Sequence, residues 1–206
     1  MLGKLPLLVV TLCLTIYWLT VIFKIVIQFI QIGKVANVIP REKQGRLIRI
    51  LWMPIIFSWV ALLWHATINY FPRSGFVYWL AWPAAVLVLF ATVLTFYCWY
   101  EMGHSWRIGI NPKETTQLVT GGPYQYVLHP IYSLSIVLAI GTMLILPTAL
   151  IISLMLIHIV LVTYEAIREE RYLITKHGQA YLKYKQKVGR FFPRLTTLKL
   201  ICPAAK

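Results

Sequence analysis

The sequence contains no aspartate and few charged residues of any kind. Its six acidic residues are all glutamates, and charged residues make up 13% of the chain, against about 25% in a typical soluble domain. Hydrophobic residues account for 59% of the 206 positions. A chain of this length cannot bury so much apolar surface in its own core. The composition therefore excludes a soluble globular enzyme and a disordered chain, and it suits one compact membrane domain of a few helices.

Several kinds of site and signal are also missing. The three cysteines, Cys13, Cys98 and Cys202, are too scattered for a disulfide framework and lack metal-ligand spacing. We therefore expect no bound metal. The glycine fingerprint of a soluble dinucleotide-binding fold is absent. The first apolar run is too long for the h-region of a cleavable signal peptide.

Long apolar runs indicate the fold. The last of them has no Asp, Glu, Lys or Arg, but Pro147 lies at its middle, so we predict a helical hairpin with arms Ile131–Leu146 and Thr148–Tyr164. Each arm is a little short for a full span. Before the hairpin we predict three spans: Leu5–Ile32, about Leu47–Tyr70 and about Phe76–Tyr100. The predicted fold is an all-α polytopic integral membrane protein with about five transmembrane helices, followed by a cytosolic amphipathic tail helix that Gly178 interrupts.

Positive charge sets the expected orientation. The chain has 20 Lys and Arg and a formal net charge of +14, concentrated in the first loop, the third loop and the C-terminal tail. Five spans place these three regions on one side, which the positive-inside rule assigns to the cytoplasm, with the N-terminus outside. Because the charge flanks apolar blocks, we expect the lipid bilayer as partner and no nucleic acid. The sequence leaves open which membrane this is and what the oligomeric state is.

Two polar segments would face the cytoplasm together: residues 101–129 and 165–187, which hold five of the six glutamates. Irregular backbone beside a membrane is tolerated where it lines a cavity. We therefore expect a single domain over residues 1–206 in which three helices (1–100), a cofactor loop (101–130), the hairpin (131–164) and the tail (165–206) build one site.

The loop and the tail resemble a known family. Leu118–Tyr132 is similar to the LVTxGPYxxVRHPxY signature of the isoprenylcysteine carboxyl methyltransferase family, whose relatives include phospholipid methyltransferases. Gly103–Ile110 resembles the GxSWRIGI segment of its prokaryotic members. Glu169–Leu173 and the following His177, Gly178, Tyr181 and Tyr184 resemble its tail motif. The resemblance implies a membrane-embedded enzyme that binds S-adenosylmethionine (SAM) at the cytosolic edge and takes a lipophilic acceptor from the bilayer.

The resemblance also assigns residues to the site. The positions that match the cofactor-binding stretch and the acid of the tail are Thr116, Gln117, Leu118, Val119, Tyr124, His129, Pro130, Ile131, Tyr132 and Glu169. We expect Glu165 and Arg107 to contact the substrate, and Glu170 and His129 to act in catalysis, for example by taking a proton from an amine acceptor. Three places depart from the family pattern: Leu128 stands where the family usually has Arg, Ser133-Leu134 replaces the usual Gly after the signature tyrosine, and Glu165 aligns with the Arg that contacts substrate in the eukaryotic enzymes. The glutamates would suit the cationic groups of SAM, and Tyr124 or Tyr132 would suit its adenine.

Several alternatives stay open at this stage. Three acceptor classes are open: a prenylcysteine-like carboxylate, which the resemblance favours, a phospholipid amine, and a small amine or thiol. A membrane reductase using NADPH, of the sterol reductase type, is a second class. A small transporter or other non-enzymatic membrane protein is a third. For Glu165, Glu169 and Glu170 the alternative role is ion pairing along the surface of a helix.

Overall fold

Six helices make up the molecule as described by a computed structural model, which covers residues 4–32, 43–69, 75–106 and 117–194. The helices are α1 (Leu5–Ile32), α2 (Lys43–Asn69), α3 (Phe76–Met102), α4 (Pro130–Ile145), α5 (Ala149–His177) and α6 (Gln179–Lys187). No β-strand occurs in these four ranges. The all-α prediction is confirmed.

Four of the described helices, α1, α2, α3 and α5, are long and apolar enough to cross a membrane. The apolar helix α4 has 16 residues, about 24 Å at 1.5 Å per residue, against about 30 Å of hydrocarbon. Large apolar side chains point outward from the spans, among them Phe23, Phe57, Trp79, Phe90 and Val160. The chain is an integral membrane protein in a lipid bilayer environment, as predicted.

The predicted hairpin is present, but its second arm is longer than expected. Pro147 lies between α4 and α5, and Thr148 caps α5 by accepting a 3.2 Å hydrogen bond from the backbone N–H of Ile151. The expected end at Tyr164 is wrong, because no glycine or proline interrupts the helix before Gly178, whose φ of +53° ends it. The 29 residues of α5 span about 43 Å, more than the hydrocarbon core. The first part of the predicted tail helix is therefore the continuation of a span.

Helix α3 lies against both α1 and α4. Its buried side is made mostly of small residues: Ala81, Ala84, Ala85, Val88 and Ala91. Gly141 of α4 faces this side so closely that a Cβ atom built on it would lie 2.3 Å from Cγ2 of Val88. Small residues allow membrane helices to approach closely where apolar burial alone gives no driving force. This contact packs the C-terminal half of α4 against the middle of α3.

A buried histidine joins α2, α4 and α5. Trp52 Nε1 donates a 3.2 Å hydrogen bond to Nδ1 of His158, and Nε2 of His158 lies 3.1 Å from Oγ of Ser135. Since Nδ1 accepts, Nε2 carries the proton and donates to Ser135. Ser135 Oγ in turn donates to the backbone carbonyl of Tyr132 at 2.8 Å. His158 thus has a structural role that connects three helices to the first turn of α4.

Candidate active site

A cavity of about 250 Å³ lies where the polar loop meets α5 and α6. Its lining has two chemical parts. Aromatic and apolar side chains come from the first three helices: Tyr17, Trp18, Val21, Trp52, Trp99 and Met102. Polar and mixed side chains come from the loop, α5 and α6, including Gln117, Tyr124, Glu165, Glu169, Tyr172, Tyr181 and Tyr184. A mainly apolar cavity with a few convergent polar groups is typical of a small-molecule site.

Most of the sequence-predicted site residues line this cavity. They are Gln117, Leu118, Val119, Tyr124, His129, Pro130, Ile131, Tyr132, Glu165 and Glu169. Glu170 is outside the lining. Thr116 and Arg107 lie outside the described residues. The catalytic and binding roles of these residues stay predictions. The residues that line the cavity do lie together in one place.

The loop that approaches the cavity, residues 117–129 and called here the signature loop, is held by the chain that follows α6. The backbone N–H groups of Leu128 and His129 donate hydrogen bonds to the carbonyls of Gly189 and Arg190, at 2.8 and 3.1 Å. These bonds accompany an isolated parallel bridge between Val127 and Gly189. The end of the signature loop is therefore fixed by residues more than 50 positions later.

Two side-chain contacts strengthen this closure. Tyr184 Oη of α6 donates a 2.5 Å hydrogen bond to the backbone carbonyl of Tyr124. Ser133 Oγ donates to the carbonyl of Phe191 at 2.8 Å. Ser133 belongs to the Ser133-Leu134 pair that replaces the usual Gly of the family pattern, and its hydroxyl here has a structural partner.

Gly122 allows the signature loop to turn close to α3. Its φ is +54°, a conformation that side chains with a Cβ rarely adopt. A Cβ atom at this position would also lie 2.6 Å from Cγ of Glu101. The glycine in the Gly-Pro-Tyr sequence is therefore required both by its backbone conformation and by the space it leaves for Glu101.

His129 lies between two glutamates of α5. Its Nδ1 is 3.5 Å from Oε2 of Glu169, and its Nε2 is 3.5 Å from Oε1 of Glu170. The imidazole stacks on the ring of Tyr132 with centroids 5.5 Å apart. Tyr132 Oη donates a 2.8 Å hydrogen bond to Oε1 of Glu169. One histidine and one tyrosine thus orient the carboxylate that faces the cavity.

Burial and charge act in opposite directions on His129. Burial lowers its pKa, but the carboxylates of Glu169 and Glu170 raise it by a larger amount, so the pKa lies above its usual value. The protonated imidazole is therefore stabilised as a cation between two anions. This arrangement favours a structural cation over a general base.

Glu170 forms ion pairs with cations that do not line the cavity. Its side chain is 2% exposed, and its carboxylate lies 2.6 Å from Nζ of Lys185 and 2.5 Å from Nε of Arg190. These pairs join α5 to α6 and to the chain after it. A carboxylate so closely paired is a poor proton acceptor, and the geometry favours a positioning role for Glu170.

The other two glutamates of α5 have different surroundings. Glu165 is buried and ion-paired with Arg168, one turn later on the same helix. The Glu169 side chain keeps 24% of its surface exposed and lines the cavity. Glu169 is thus the more accessible of the two carboxylates to a cationic ligand.

Two tyrosines have unused hydroxyl groups at the cavity. The Oη atoms of Tyr124 and Tyr181 are buried without a hydrogen-bond partner among the described residues, and both side chains line the cavity. Burial raises the pKa of both phenols. They therefore stay protonated at neutral pH. An unpaired buried hydroxyl is costly, and a polar ligand would supply the missing partners.

Part of the chain, from α3 to α5, matches the model of a known family. Residues 84–176 match the isoprenylcysteine carboxyl methyltransferase (ICMT) family. The match confirms the resemblance found in the signature loop and supports a membrane methyltransferase.

A curated relative is also similar over part of the chain. The nickel-cobalt-cadmium resistance protein NccN of Alcaligenes xylosoxydans xylosoxydans is 26% identical over 99 residues. The similar region covers 48% of this chain and 46% of that relative. The chain thus spans about half the length of the curated relative it matches.

The ICMT-family match begins in α3 and leaves α1 and α2 outside it. Sequence reasoning missed the cavity residues that these two helices supply: Tyr17, Trp18, Val21, Arg49 and Trp52. The sequence signal for Arg49 is a cation at the end of a predicted span. Such a cation indicates the orientation of the chain in the membrane and does not by itself indicate a ligand. The aromatic residues were indistinguishable from ordinary span residues.

Proposed function

We propose that this chain is a membrane methyltransferase of the ICMT type, which transfers a methyl group from SAM to a lipophilic acceptor that reaches the cavity from the membrane. The observation that supports the proposal is the convergence of the signature loop, Glu169 of α5 and the aromatic side chains of α1–α3 on one cavity. A carboxylate acceptor of the prenylcysteine type is the acceptor class that the family favours.

The residues present fit SAM by their chemistry. Glu169 offers a partly exposed carboxylate for the ammonium or sulfonium group, and the unpaired hydroxyls of Tyr124 and Tyr181 offer donors for polar oxygen or nitrogen atoms. Gln117, Leu118 and Val119 would supply part of the wall around the nucleotide. Bound SAM would supply an electrophilic methyl group for transfer to an acceptor oxygen, with the electron pair of the S–C bond left on sulfur.

The chain itself would contribute position and a dry environment. Tyr132 and His129 hold the Glu169 carboxylate in one orientation, and Glu170 fixes α6 against α5. Alignment of the reactants is the main requirement of methyl transfer. With a carboxylate acceptor no proton has to be removed, which agrees with the absence of a free base in the His129–Glu170 pair.

Direct titration tests this proposal. We expect purified protein in detergent to bind SAM and its demethylated product, S-adenosylhomocysteine (SAH), in isothermal calorimetry, and Glu169→Gln to weaken both. Incubation with methyl-labelled SAM and a membrane lipid extract should then label one lipid class, which identifies the acceptor as a carboxylate, amine or thiol. Absence of SAH binding in several detergents and in lipid, or saturable NADPH oxidation instead, would refute the proposal.

The same proposal includes the orientation of the chain in the membrane. The N-terminus would lie outside and the signature loop and the tail in the cytoplasm, where SAM is made. Reporter fusions at the N-terminus and after residue 194 should report opposite sides of the membrane. Fusions on the same side would contradict this orientation.

A further inference from the structure

Arg49 is a cavity residue that the ICMT-family match does not include. It lies near the beginning of α2, and its guanidinium carbon is 6.0 Å from the ring centre of Trp52. Its Nε atom is buried and donates no hydrogen bond to any described residue. The cavity therefore contains a cationic side chain with an unused donor.

The anions nearest to Arg49 have partners of their own. Arg49 is within electrostatic range of Glu165 and Glu169. Glu165 is paired with Arg168, and Glu169 accepts a hydrogen bond from Tyr132. The Nε donor of Arg49 has no partner among the described residues, so an anion that enters the cavity would supply one.

Apolar surface lies beside this cation. Tyr17, Trp18, Trp52 and Trp99 line the same cavity and come from the three membrane helices α1–α3. A ligand that meets Arg49 and these rings together has an acidic head group and an apolar chain. Because two carboxylates share the cavity with one Arg49, a head group with a single negative charge suits it better than a dianion.

We propose that Arg49 binds the acidic head group, a carboxylate or a phosphodiester, of an amphiphilic acceptor whose chain contacts the aromatic residues of α1–α3. This inference rests on the proposed function. An arginine suits the task because its planar fork can form two parallel hydrogen bonds to either oxyanion. Arg49 comes from α2, whereas the described residues that match the family's cofactor-binding stretch come from the signature loop and the first turn of α4, and the matching acid comes from α5. It is therefore assigned to the acceptor and not to SAM.

The test measures binding of three probes with the same farnesyl chain in a neutral maltoside detergent. The probes are N-acetyl-S-farnesylcysteine, its carboxamide, and farnesyl methyl phosphate, a phosphodiester. We expect wild-type protein to bind at least one of the two acids about 10- to 100-fold more tightly than the carboxamide, as for a hydrogen bond to a charged group. The tighter of the two acids identifies the head group.

Variants of Arg49 test whether this residue causes the preference for the acid over the carboxamide. Arg49→Gln should remove the preference for the acid, and Arg49→Lys, which keeps the charge, should retain part of it. Arg46→Gln is the matched control, because Arg46 lies on the same helix, is exposed and does not line the cavity. SAH affinity should stay within about threefold in all three variants, which also shows that they are folded.

Two results would overturn the inference. One is equal binding of the acids and the carboxamide by wild-type protein, a comparison that needs no variant. The other is an Arg49→Gln variant that loses SAH affinity as much as acid affinity, since Arg49 would then hold the carboxylate of SAM. Failure of the wild type to bind SAH refutes the proposed function instead, and the probe titrations, done without SAM, distinguish the two failures.

Discussion

Tyr132 donates a 2.8 Å hydrogen bond to one oxygen of Glu169, and His129 lies 3.5 Å from the other oxygen. His129 is the last residue of the signature loop and Tyr132 lies in the first turn of α4, and their rings stack on each other. The orientation of the cavity carboxylate on α5 is therefore set by the signature loop and the helix that follows it. This relationship connects the two sequence motifs physically.

Removing the phenol hydroxyl should weaken ligand binding without unfolding the protein. Tyr132→Phe keeps the ring that stacks on His129 but leaves Glu169 without its donor. We expect SAH affinity in calorimetry to fall about tenfold, or about 1.4 kcal/mol, in the range for a hydrogen bond to a charged group. Tyr164→Phe, an exposed residue of α5, is the control and should bind as wild type. Unchanged affinity in Tyr132→Phe would show that Glu169 needs no such orientation.

Glu169 and Glu170 are neighbours in sequence, but their substitution should have different effects on stability and on SAH binding. Glu170→Gln leaves Lys185 and Arg190 without their anion, and because both cations are partly exposed we expect a loss of about 2 kcal/mol, less than for a fully buried pair. Glu169→Gln should leave the melting temperature nearer that of the wild type and weaken SAH binding more. Thermal unfolding in detergent measures the stability, and calorimetry measures the SAH affinity. Equal losses of stability in both variants would contradict this division.

His129 should make stability depend on pH. Its pKa is raised in the folded protein because the pairing with Glu169 and Glu170 outweighs burial. The stabilisation is therefore fully present below the unfolded value of about 6.5 and is lost as the pH rises through the folded value. Lys185 and Arg190 are the other cations that face Glu170.

The difference in melting temperature between wild type and His129→Gln isolates this contribution. We expect the wild type to be the more stable at pH 6 and the difference to shrink as the pH rises above about 6.5. Titration of groups that do not contact His129 cancels in the difference. A difference that grows with pH would mean that the neutral imidazole is the stabilised form.

Some parts of the fold could be predicted from the sequence because their physical signals are local. An apolar run of sufficient length indicates a span, and Pro147 between two such runs indicates a turn. Gly178 ends α5 with a positive φ that its lack of a side chain permits. The prediction that the second arm of the hairpin ends at Tyr164 is wrong because no such local signal ends the helix there. Charge begins at Glu165, but charge alone does not end a helix that continues beyond the membrane.

The candidate site was predictable only where sequence motifs carry it. Glu169 and Tyr132 belong to motifs, so their positions could be expected to converge. Arg49 belongs to none, and its place in the cavity depends on how α2 packs against α5. The partners of Glu170 are similarly distant, since Arg190 reaches it only because the chain turns back after α6. Long-range contacts of this kind leave no local pattern.

The close approach of α3 and α4 yields a prediction on packing. Gly141→Ala introduces a methyl group that would lie 2.3 Å from Cγ2 of Val88, and overpacking of this kind costs about 1–3 kcal/mol. Val88→Ala alone leaves a small cavity and also destabilises. Combined, the two changes should be less destabilising than their sum by about 1 kcal/mol, because each relieves the other. A double-mutant cycle of unfolding free energies in mixed micelles measures this coupling, and strict additivity would show that the two helices separate to accommodate the methyl group.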